Sequence, residues 1–373
     1  MTGDDKDEAE DDYPNQWTSP GYTDLTDRDD EIAAYMENRK RSVRRKTWRQ
    51  SGTALRHFAE FIDERGIEPG DFNDDDAEDF INWLEAKDSI KDSTVKSYAG
   101  SVAHFYDYAM RRQRSETYSD INYNAIALVL EDRTWNDDRT TERRDLSLKQ
   151  MREAILSVNH PLLLCILMLL IKTGMRASEL ANLDMRDINL DHHWFKEHFP
   201  ECRKNLEDRP DTLYIAPRSE IEVGDVVNGE ERKDPNKRAR GTYVPIDKET
   251  KAVILLWLAI RPPSQSPAEP LLTLTVPGSS TIPGDRLRAD YIWDQVSDWA
   301  EAQGWWDADA TLESNVSPHY FRHFFRTVFG ARTDDQLLVK YFRGDKGDAM
   351  EDYMHYWESH VREPYLQAIY KIF

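Results

Sequence analysis

Two short segments carry arginines beside residues that could bind and process a phosphate group. The first, Thr173–Leu180, reads TGMRASEL and follows an apolar run, so we expect its glycine to end one helix and Arg176 to begin the next. The second, Ser317–His323, reads SPHYFRH, and on a helix His319 and Arg322 lie three residues apart on one face. Because arginine binds two oxygens at once and stays charged, the pair predicts a phosphate site.

Cleavage of a phosphodiester at such a site needs two further groups. A nucleophile must attack in line, and an acid must protonate the oxygen that leaves. Here the sequence resembles a known family: TGMRASEL and the His-x-x-Arg of PHYFRH are similar to the two signature segments of the tyrosine recombinases, which include lambda integrase, Cre and the Xer proteins. The resemblance covers roughly residues 30 to 373.

The resemblance implies which residue is the nucleophile. Family members place a tyrosine beyond the second arginine, often as Tyr-x-His, and Tyr353, with His355 beside it, lies 31 residues beyond Arg322. Tyr356 lies one helical step away and is the alternative. The resemblance therefore favours Tyr353.

The resemblance also implies a catalytic lysine. In the family this lysine lies in a β-hairpin a few residues before a Val-Pro pair. Lys237 precedes Val244 and Pro245, and its seven-residue spacing to Val244 matches the Xer-like pattern. Lys233 is the alternative.

By this resemblance, five residues would carry the reaction. Arg176 and Arg322 would hold the non-bridging phosphate oxygens, and His319 would assist proton transfer to or from Tyr353. Lys237 would protonate the departing 5′ oxygen. Tyr353 would form a 3′-phosphotyrosine, which conserves the bond energy, so no ATP, metal or other cofactor is expected.

One position departs from the family pattern. Many members have a histidine or tryptophan about nine residues before the tyrosine, and here that position is Gly344, within Arg343-Gly344-Asp345. No aromatic donor occupies it. We expect Arg343 or Lys346 to hydrogen-bond the phosphate instead.

The apolar pattern divides the chain into a tail and two domains. Residues 1–28 are crowded with Asp and Glu and predict a flexible acidic tail. Residues 29–133 have apolar residues at helical spacing and predict four or five short helices, followed by a polar linker at 134–145 and a second domain at 146–373. The predicted fold is mainly α with a small antiparallel β-sheet: a helical core-binding, SAM-like domain and an α+β catalytic domain of the tyrosine recombinase type.

Several elements of the second domain follow from local patterns. Ser147 and Gln150 form a capping box that begins a helix, and the apolar run Pro161–Ile171 predicts a buried helix too short to span a bilayer. Thr212–Ala216 and Gly241–Ile246 are predicted strands, and Phe195–Arg232 is predicted to be an inserted surface loop. Helical patterns continue from Ala252 to the end, where Pro364–Phe373 docks either onto a neighbouring protomer or onto its own domain.

The net charge of −21 and pI near 4.9 are unusual for a protein that binds DNA. Either nucleic acid is not the partner, or the acidity covers the surface of a protein that works in concentrated salt. The scattered Asp and Glu, and an excess of Arg over Lys, 32 to 17, favour the second interpretation and resemble a protein of an extreme halophile.

One dense basic cluster stands out against this acidic background. It is interpreted as a grip on the DNA backbone, with a solvated helix face as the alternative. The cluster comprises Arg39, Lys40, Arg41, Arg44, Arg45, Lys46 and Arg49, interleaved with Trp48. Ser93–Tyr98, with Lys96, reads as the start of a second DNA-contacting helix.

Cysteine and histidine usage indicates an intracellular protein without a metal centre. Cys165 and Cys202 form no disulfide framework, and the absence of a signal peptide or membrane span favours the cytoplasm. His192, His193 and His198 with Cys202 fit no zinc spacing that we can justify, and exposed loop histidines are the preferred interpretation.

Three functions follow from this sequence. The first is a site-specific recombinase that acts on double-stranded DNA, its two domains closing around the duplex as a clamp and four protomers forming a homotetramer on paired sites. The second is a type IB topoisomerase-like enzyme that relaxes DNA as a monomer. The third, motivated by the departure at Gly344, is a DNA-binding protein that has lost catalysis.

Overall fold

The chain forms two units, each built around its own hydrophobic core. Unit 1 extends to Asp137 and unit 2 begins at Asp138, within the segment 134–145. The computed structural model describes residues 30–42, 45–87, 90, 92–112, 121–133, 135, 143–278, 281–307, 314–333, 335–345 and 357–373. The predicted acidic tail therefore lies outside the described residues.

Unit 1 is helical throughout its described elements. Its helices are α1 (Asp30–Ser42), α2 (Arg45–Arg65), α3 (Asp74–Glu85), α4 (Asp92–Arg112) and α5 (Ala125–Asp132), with a 3-10 turn at Pro69–Asp71. Two of them, α2 and α4, have 21 residues each and are longer than the short helices expected. Their apolar residues recur every three or four positions, as do Leu55, Phe58 and Ile62 on α2, and are buried.

Unit 2 combines helices with two small sheets. Its helices are α6 (Leu148–Leu156), α7 (Pro161–Thr173), α8 (Ala177–Ala181), α9 (His193–His198), α10 (Lys248–Leu258), α11 (Ala289–Ala302), α12 (Pro318–Gly330), α13 (Gln336–Arg343) and α14 (Glu363–Ala368), with a π-helical segment at Trp357–Arg362. Short 3-10 turns occur at Met185–Asp187, Lys204–Leu206 and Arg218–Glu220.

The predicted capping box at the start of α6 is confirmed. The backbone N–H of Gln150 donates to Oγ of Ser147 at 3.3 Å, and the N–H of Ser147 donates to Oε1 of Gln150 at 3.0 Å. The predicted buried helix is also confirmed as α7, which is apolar on nearly all sides and central to the core of unit 2. Among the described residues, no helix is long and apolar enough to cross a membrane.

The sheets of unit 2 are antiparallel, as predicted. Strands β1 (Ile188–Asn189), β2 (Thr212–Ile215) and β5 (Thr242–Pro245) form one sheet in the order β1-β2-β5, with Tyr214 opposite Tyr243. Strands β3 (Val226–Val227) and β4 (Glu230–Glu231) form a separate hairpin. The two strand predictions correspond to β2 and β5.

Two expectations about connecting segments are wrong. Helices do not continue from Ala252 to the chain end, because α10 ends at Leu258 and the described residues between it and α11, 259–278 and 281–288, form no helix. This stretch contains six prolines, which lack the N–H that a helix requires. The segment Phe195–Arg232 is not simply a surface loop, because it contains β2 and its Leu206 and Ile221 are buried in the core.

The C-terminal segment packs onto its own unit. Tyr365, Tyr370 and Ile372 are buried in the core of unit 2. Oη of Tyr365 donates to the carbonyl of Lys172 at 2.8 Å, and Nζ of Lys172 donates to the carbonyl of Tyr370 at 2.6 Å. The predicted alternative, packing onto the same domain, is therefore the one observed.

Candidate active site

Arg176 lies at the turn between α7 and α8, as the sequence predicts. Gly174 ends α7 in the left-handed conformation with φ 62°. A Cβ at this position would lie 2.8 Å from Cδ1 of Phe325, so glycine is required by both backbone and packing. Arg176 follows as the N-cap of α8, with its side chain 27% exposed.

Glu179 is a buried carboxylate that orients Arg176. Its Oε1 accepts from Nη1 of Arg176 at 2.8 Å, and its Oε2 accepts from the backbone N–H of Arg176 at 3.0 Å and from Nη2 of Arg238 at 3.1 Å. Burial would raise the pKa of Glu179, but Arg238 and Arg176 outweigh it and hold that pKa below its usual range. Glu179 therefore stays ionised and fixes the guanidinium of Arg176.

Arg322 approaches the same turn from α12. Its side chain is buried, and Nη1 donates to the carbonyl of Gly174 at 3.0 Å while Nη2 donates to Oδ1 of Asp345 at 2.9 Å. Burial and the charge of Arg176 lower the pKa of Arg322 to about 10, so it remains cationic at neutral pH. The two predicted phosphate-binding arginines thus lie near each other, at the turn after Gly174 and close to Glu179.

His319 lies at the exposed start of α12, one turn before Arg322. Burial and the nearby charges of Arg322 and Arg176, with further contributions from Arg143 and Arg343, lower the pKa of its imidazole. The ring is therefore neutral at pH 7. A neutral imidazole can accept a proton, as the predicted role requires.

A second histidine and an arginine extend this basic face. The ring of His323 lies 4.7 Å from that of His319, and its Nδ1 lies 3.1 Å from Nη1 of Arg143. Burial and Arg143 lower the pKa of His323 to about 4, so the neutral ring accepts from the guanidinium. Arg143 and Arg144 belong to the predicted linker. The carbonyl of Arg144 accepts from Oη of Tyr320 at 3.0 Å, so this end of the linker packs on unit 2.

At Gly344, the position that departs from the family pattern, the space of the missing side chain is filled by Arg238. Gly344 ends α13 with φ 64°, and a Cβ there would lie 2.8 Å from Cδ of Arg238. Arg343 forms an ion pair with Asp345 at 3.2 Å. The expectation that Arg343 or Lys346 hydrogen-bonds the phosphate stays a prediction, and Lys346 lies outside the described residues.

The two lysine candidates differ in their surroundings. Both are exposed and lie between β4 and β5. Nζ of Lys233 forms an ion pair with Oε1 of Glu231 at 2.7 Å, whereas Lys237 precedes the buried Arg238. The preference for Lys237 remains a prediction, as does the choice of Tyr353 over Tyr356, since both tyrosines lie outside the described residues.

The basic cluster of unit 1 is only partly a surface. Trp48, which the sequence interleaves with the cluster, is a core residue whose Nε1 donates to the carbonyl of Met36 at 3.1 Å. Arg41 is exposed and pairs with Glu37 at 3.2 Å, and Arg49 is half-buried. The described part of the chain does not include Arg44, nor the side chains of Arg45 and Lys46.

The second predicted DNA contact, Lys96, is exposed on α4. Its Nζ lies 5.5 Å from the centroid of the Trp135 ring, a cation–π distance. A lysine held over an aromatic ring at the surface remains able to contact a phosphate.

The histidines and cysteines that the sequence analysis rejected as zinc ligands form no metal site among the described residues. His192, His193 and His198 are exposed, and Cys165 and Cys202 are free thiols. Within the described residues, no group of three or more histidine, cysteine or acidic side chains is arranged to hold a metal ion.

Sequence reasoning missed four residues of the site: Glu179, Arg238, Arg143 and His323. Glu179 had a local signal, because an acid three residues after the N-cap is a capping-box pattern. Arg238 had none, because it contacts Glu179 across 59 residues of sequence. Together with Arg176 and Arg322, these residues form a cationic pocket with a neutral imidazole at its edge, which can bind a phosphodiester and exchange a proton.

Comparisons with known proteins agree with this architecture. Residues 30–120 match the phage integrase SAM-like domain family. The search of curated proteins found no match to the chain. Solved structures match over most of the length, among them a variant of the Tn1549 transposon integrase in complex with transposon right end DNA, at 16% identity and TM-score 0.59, covering 85% of this chain and 91% of that one.

Two other structures are similar. The XerH site-specific recombinase bound to a palindromic difH substrate has 14% identity and TM-score 0.56, with 84% of this chain and 80% of that one covered. A lambda integrase dimer bound to a core site has 13% identity and TM-score 0.52, with 86% and 75% covered. The chain therefore has the fold of the tyrosine recombinases and carries a phage integrase SAM-like domain at residues 30–120.

Proposed function

We propose that this chain is a site-specific DNA recombinase, an integrase that cleaves and rejoins duplex DNA through a covalent bond to Tyr353. The observation that carries the proposal is the pocket in which Arg176 and Arg322 lie together beside the neutral His319. The recombinase fold of the whole chain supports it, because structures of this fold include integrases in complex with DNA.

The reaction follows from the roles of these side chains. The two guanidinium groups bind the non-bridging oxygens and stabilise the negative charge that develops on them. The hydroxyl of Tyr353 attacks phosphorus as His319 accepts its proton, and Lys237 donates a proton to the 5′ oxygen as the phosphorus–oxygen bond breaks. The product is a 3′-phosphotyrosine. Rejoining reverses these steps with a 5′ hydroxyl as the nucleophile, so no ATP is consumed.

Binding of the DNA backbone would use the basic residues of unit 1 and this pocket. The exposed Arg41 and Lys96, with Arg44, Arg45, Lys46 and Arg49, are the candidates for phosphate contacts. A net charge of −21 opposes binding at low salt, and we propose that the protein works in concentrated salt, where the Debye length falls to about 3 Å at 1 M and local contacts decide. Four protomers on paired sites would complete strand exchange.

The test is to trap the covalent adduct. The full chain is incubated in molar KCl with a pool of nicked duplexes of randomised sequence, and DNA that stays attached to protein in detergent is recovered and sequenced. We expect the wild-type chain and Tyr356→Phe to form the adduct and Tyr353→Phe to form none. An adduct that survives Tyr353→Phe but not Tyr356→Phe would reassign the nucleophile.

The recovered sequences separate the remaining functions. A recombinase should enrich one sequence and join two copies of it, whereas a relaxing enzyme would trap many sequences and relax a supercoiled plasmid without a paired site. No adduct from the wild-type chain at any salt concentration would refute the enzymatic proposal.

A further inference from the structure

Arg238 lies at the point where three elements of unit 2 meet. Its side chain is fully buried. Nη2 donates to Glu179 on α8 at 3.1 Å, and Nη1 donates to Oγ1 of Thr242 on β5 and to the carbonyl of Phe342 on α13, both at 2.8 Å. A buried arginine with three such acceptors ties these elements to one another.

The end of α13 is shaped to receive this arginine. A Cβ on Gly344 would lie 2.7 Å from Nη1 and 2.8 Å from Cδ of Arg238, so a side chain there and the guanidinium exclude each other. The backbone alongside is also joined: the N–H of Ala239 donates to the carbonyl of Gly344 at 3.1 Å, and Nη2 of Arg240 donates to the carbonyl of Asp345 at 2.8 Å.

These contacts connect residues that the proposed reaction uses. Glu179 is the carboxylate that fixes Arg176, and Asp345 is an ion-pair partner of Arg322. Lys237 immediately precedes Arg238 in the chain. A displacement of Arg238 would therefore also shift both phosphate-binding arginines and Lys237.

We propose that Arg238 is a positioning residue of the active site, which fills the space left by the missing side chain at position 344 and holds Glu179 so that Arg176 faces the phosphate. The inference rests on the proposed function. Arg238 acts through Glu179 and the end of α13 and does not itself contact the DNA.

The charge on Glu179 makes the idea testable. Three cations face this carboxylate: Arg176 from the start of α8, Arg238 from the segment before β5, and Arg322 from α12. Removal of Arg238 leaves a buried carboxylate with less compensation, so it protonates at a higher pH. A protonated Glu179 loses its ion pair with Arg176, and adduct formation falls with it.

The first experiment measures the single-turnover rate of adduct formation against pH for the wild-type chain, Arg238→Met, Arg238→Lys and Arg232→Met. Arg232 is the matched control, because it is also fully buried and forms an ion pair with a buried acid, Asp184, outside the site. For Arg238→Met we expect a rate at pH 7 about tenfold lower or more. In a His319→Gln background, which removes the acid limb of the imidazole itself, we expect the limb from Glu179 to shift upward by about one pH unit. Arg238→Lys should fall between Arg238→Met and the wild type.

Arg232→Met should lower stability and leave the acid limb in place. If Arg238→Met has the wild-type acid limb, or if Arg232→Met shifts it equally, the positioning role is refuted while the proposed function stands. If the wild-type chain forms no adduct, both are refuted.

A second measurement needs no DNA and covers the case in which Arg238→Met does not fold. Gly344→Ala and Gly304→Ala place the same methyl on residues with similar φ, 64° and 70°, but only at position 344 does the methyl meet a neighbour. We expect Gly344→Ala to lower the melting temperature further than Gly304→Ala does, because only its methyl group displaces the side chain of Arg238. Equal effects of the two alanines would overturn the inference.

Discussion

At the scale of single residues, the site is organised by two acids among many cations. Glu179 and Asp345 each accept from an arginine that is proposed to hold the phosphate. The histidines at the edge stay neutral because burial, and then the surrounding positive charges, lower the pKa of each ring. In a chain with a net charge of −21, such a local excess of positive charge is suited to a polyanion.

The neutral His323 predicts an acid sensitivity of the fold. Its pKa of about 4 lies below the usual value of 6.5, so the unfolded chain binds this proton more readily. Stability from this residue is therefore fully present above pH 6.5 and is lost as the pH falls toward 4. We expect the melting temperature to drop less between pH 7.5 and 5 in His323→Gln than in the wild-type chain.

The matched control for this prediction is His193→Gln. The side chain of His193 is 97% exposed, so its removal should leave the pH dependence of the melting temperature unchanged. Equal curves for His323→Gln and the wild type would contradict the explanation.

At the scale of elements, the turn between α7 and α8 carries the site. Gly174 permits the left-handed turn, its carbonyl accepts from Arg322, and Arg176 follows two residues later. This turn could be predicted from the sequence because every signal is local: an apolar run, a glycine and an arginine. The contact of Arg238 with Gly344 could not, because it joins positions 106 residues apart and nothing in either local pattern records it.

The turn yields a stability prediction. Gly174→Ala adds a methyl against Phe325 on a backbone that disfavours any side chain, and we expect a loss of about 2–3 kcal/mol in the free energy of unfolding. Gly100→Ala is the control, since Gly100 lies within α4 with open space around it and alanine there should stabilise by about 0.5–1 kcal/mol. Chemical denaturation measures both, and a neutral Gly174→Ala would show that the turn adapts.

At the scale of the whole molecule, helical periodicity predicted much of the fold but misjudged which faces are buried. The 3.6-residue pattern identified the helices of unit 1 and the buried α7, whereas Trp48 was grouped with its basic neighbours although it faces the core. Periodicity also leaves open what a helical face packs against, which is why the C-terminal segment had two predicted partners. Lys172 with its buried acceptors decides between them.

This arrangement predicts the effect of a truncation. A chain that ends at Glu363 lacks Tyr365, Tyr370 and Ile372, all buried in unit 2, and leaves Lys172 without one acceptor. We expect hydrogen exchange to become fast in α7 while α2 and α4 of unit 1 keep their protection. Unchanged protection of α7 would show that the segment is dispensable for the core.

The burial of Lys172 also affects when the chain can finish folding during its synthesis. The carbonyl of Tyr370, which accepts from Lys172, lies 198 residues further along the chain. At a synthesis rate of about 5–20 residues per second, the ribosome adds Tyr370 about 10–40 s after Lys172. Asp247 and Glu249 are made earlier and pair with the ammonium group, but its third acceptor is absent until the chain is almost complete, so α7 and the turn that holds Arg176 reach their final packing only then. On the proposed function, a chain still emerging from the ribosome therefore lacks a finished active site.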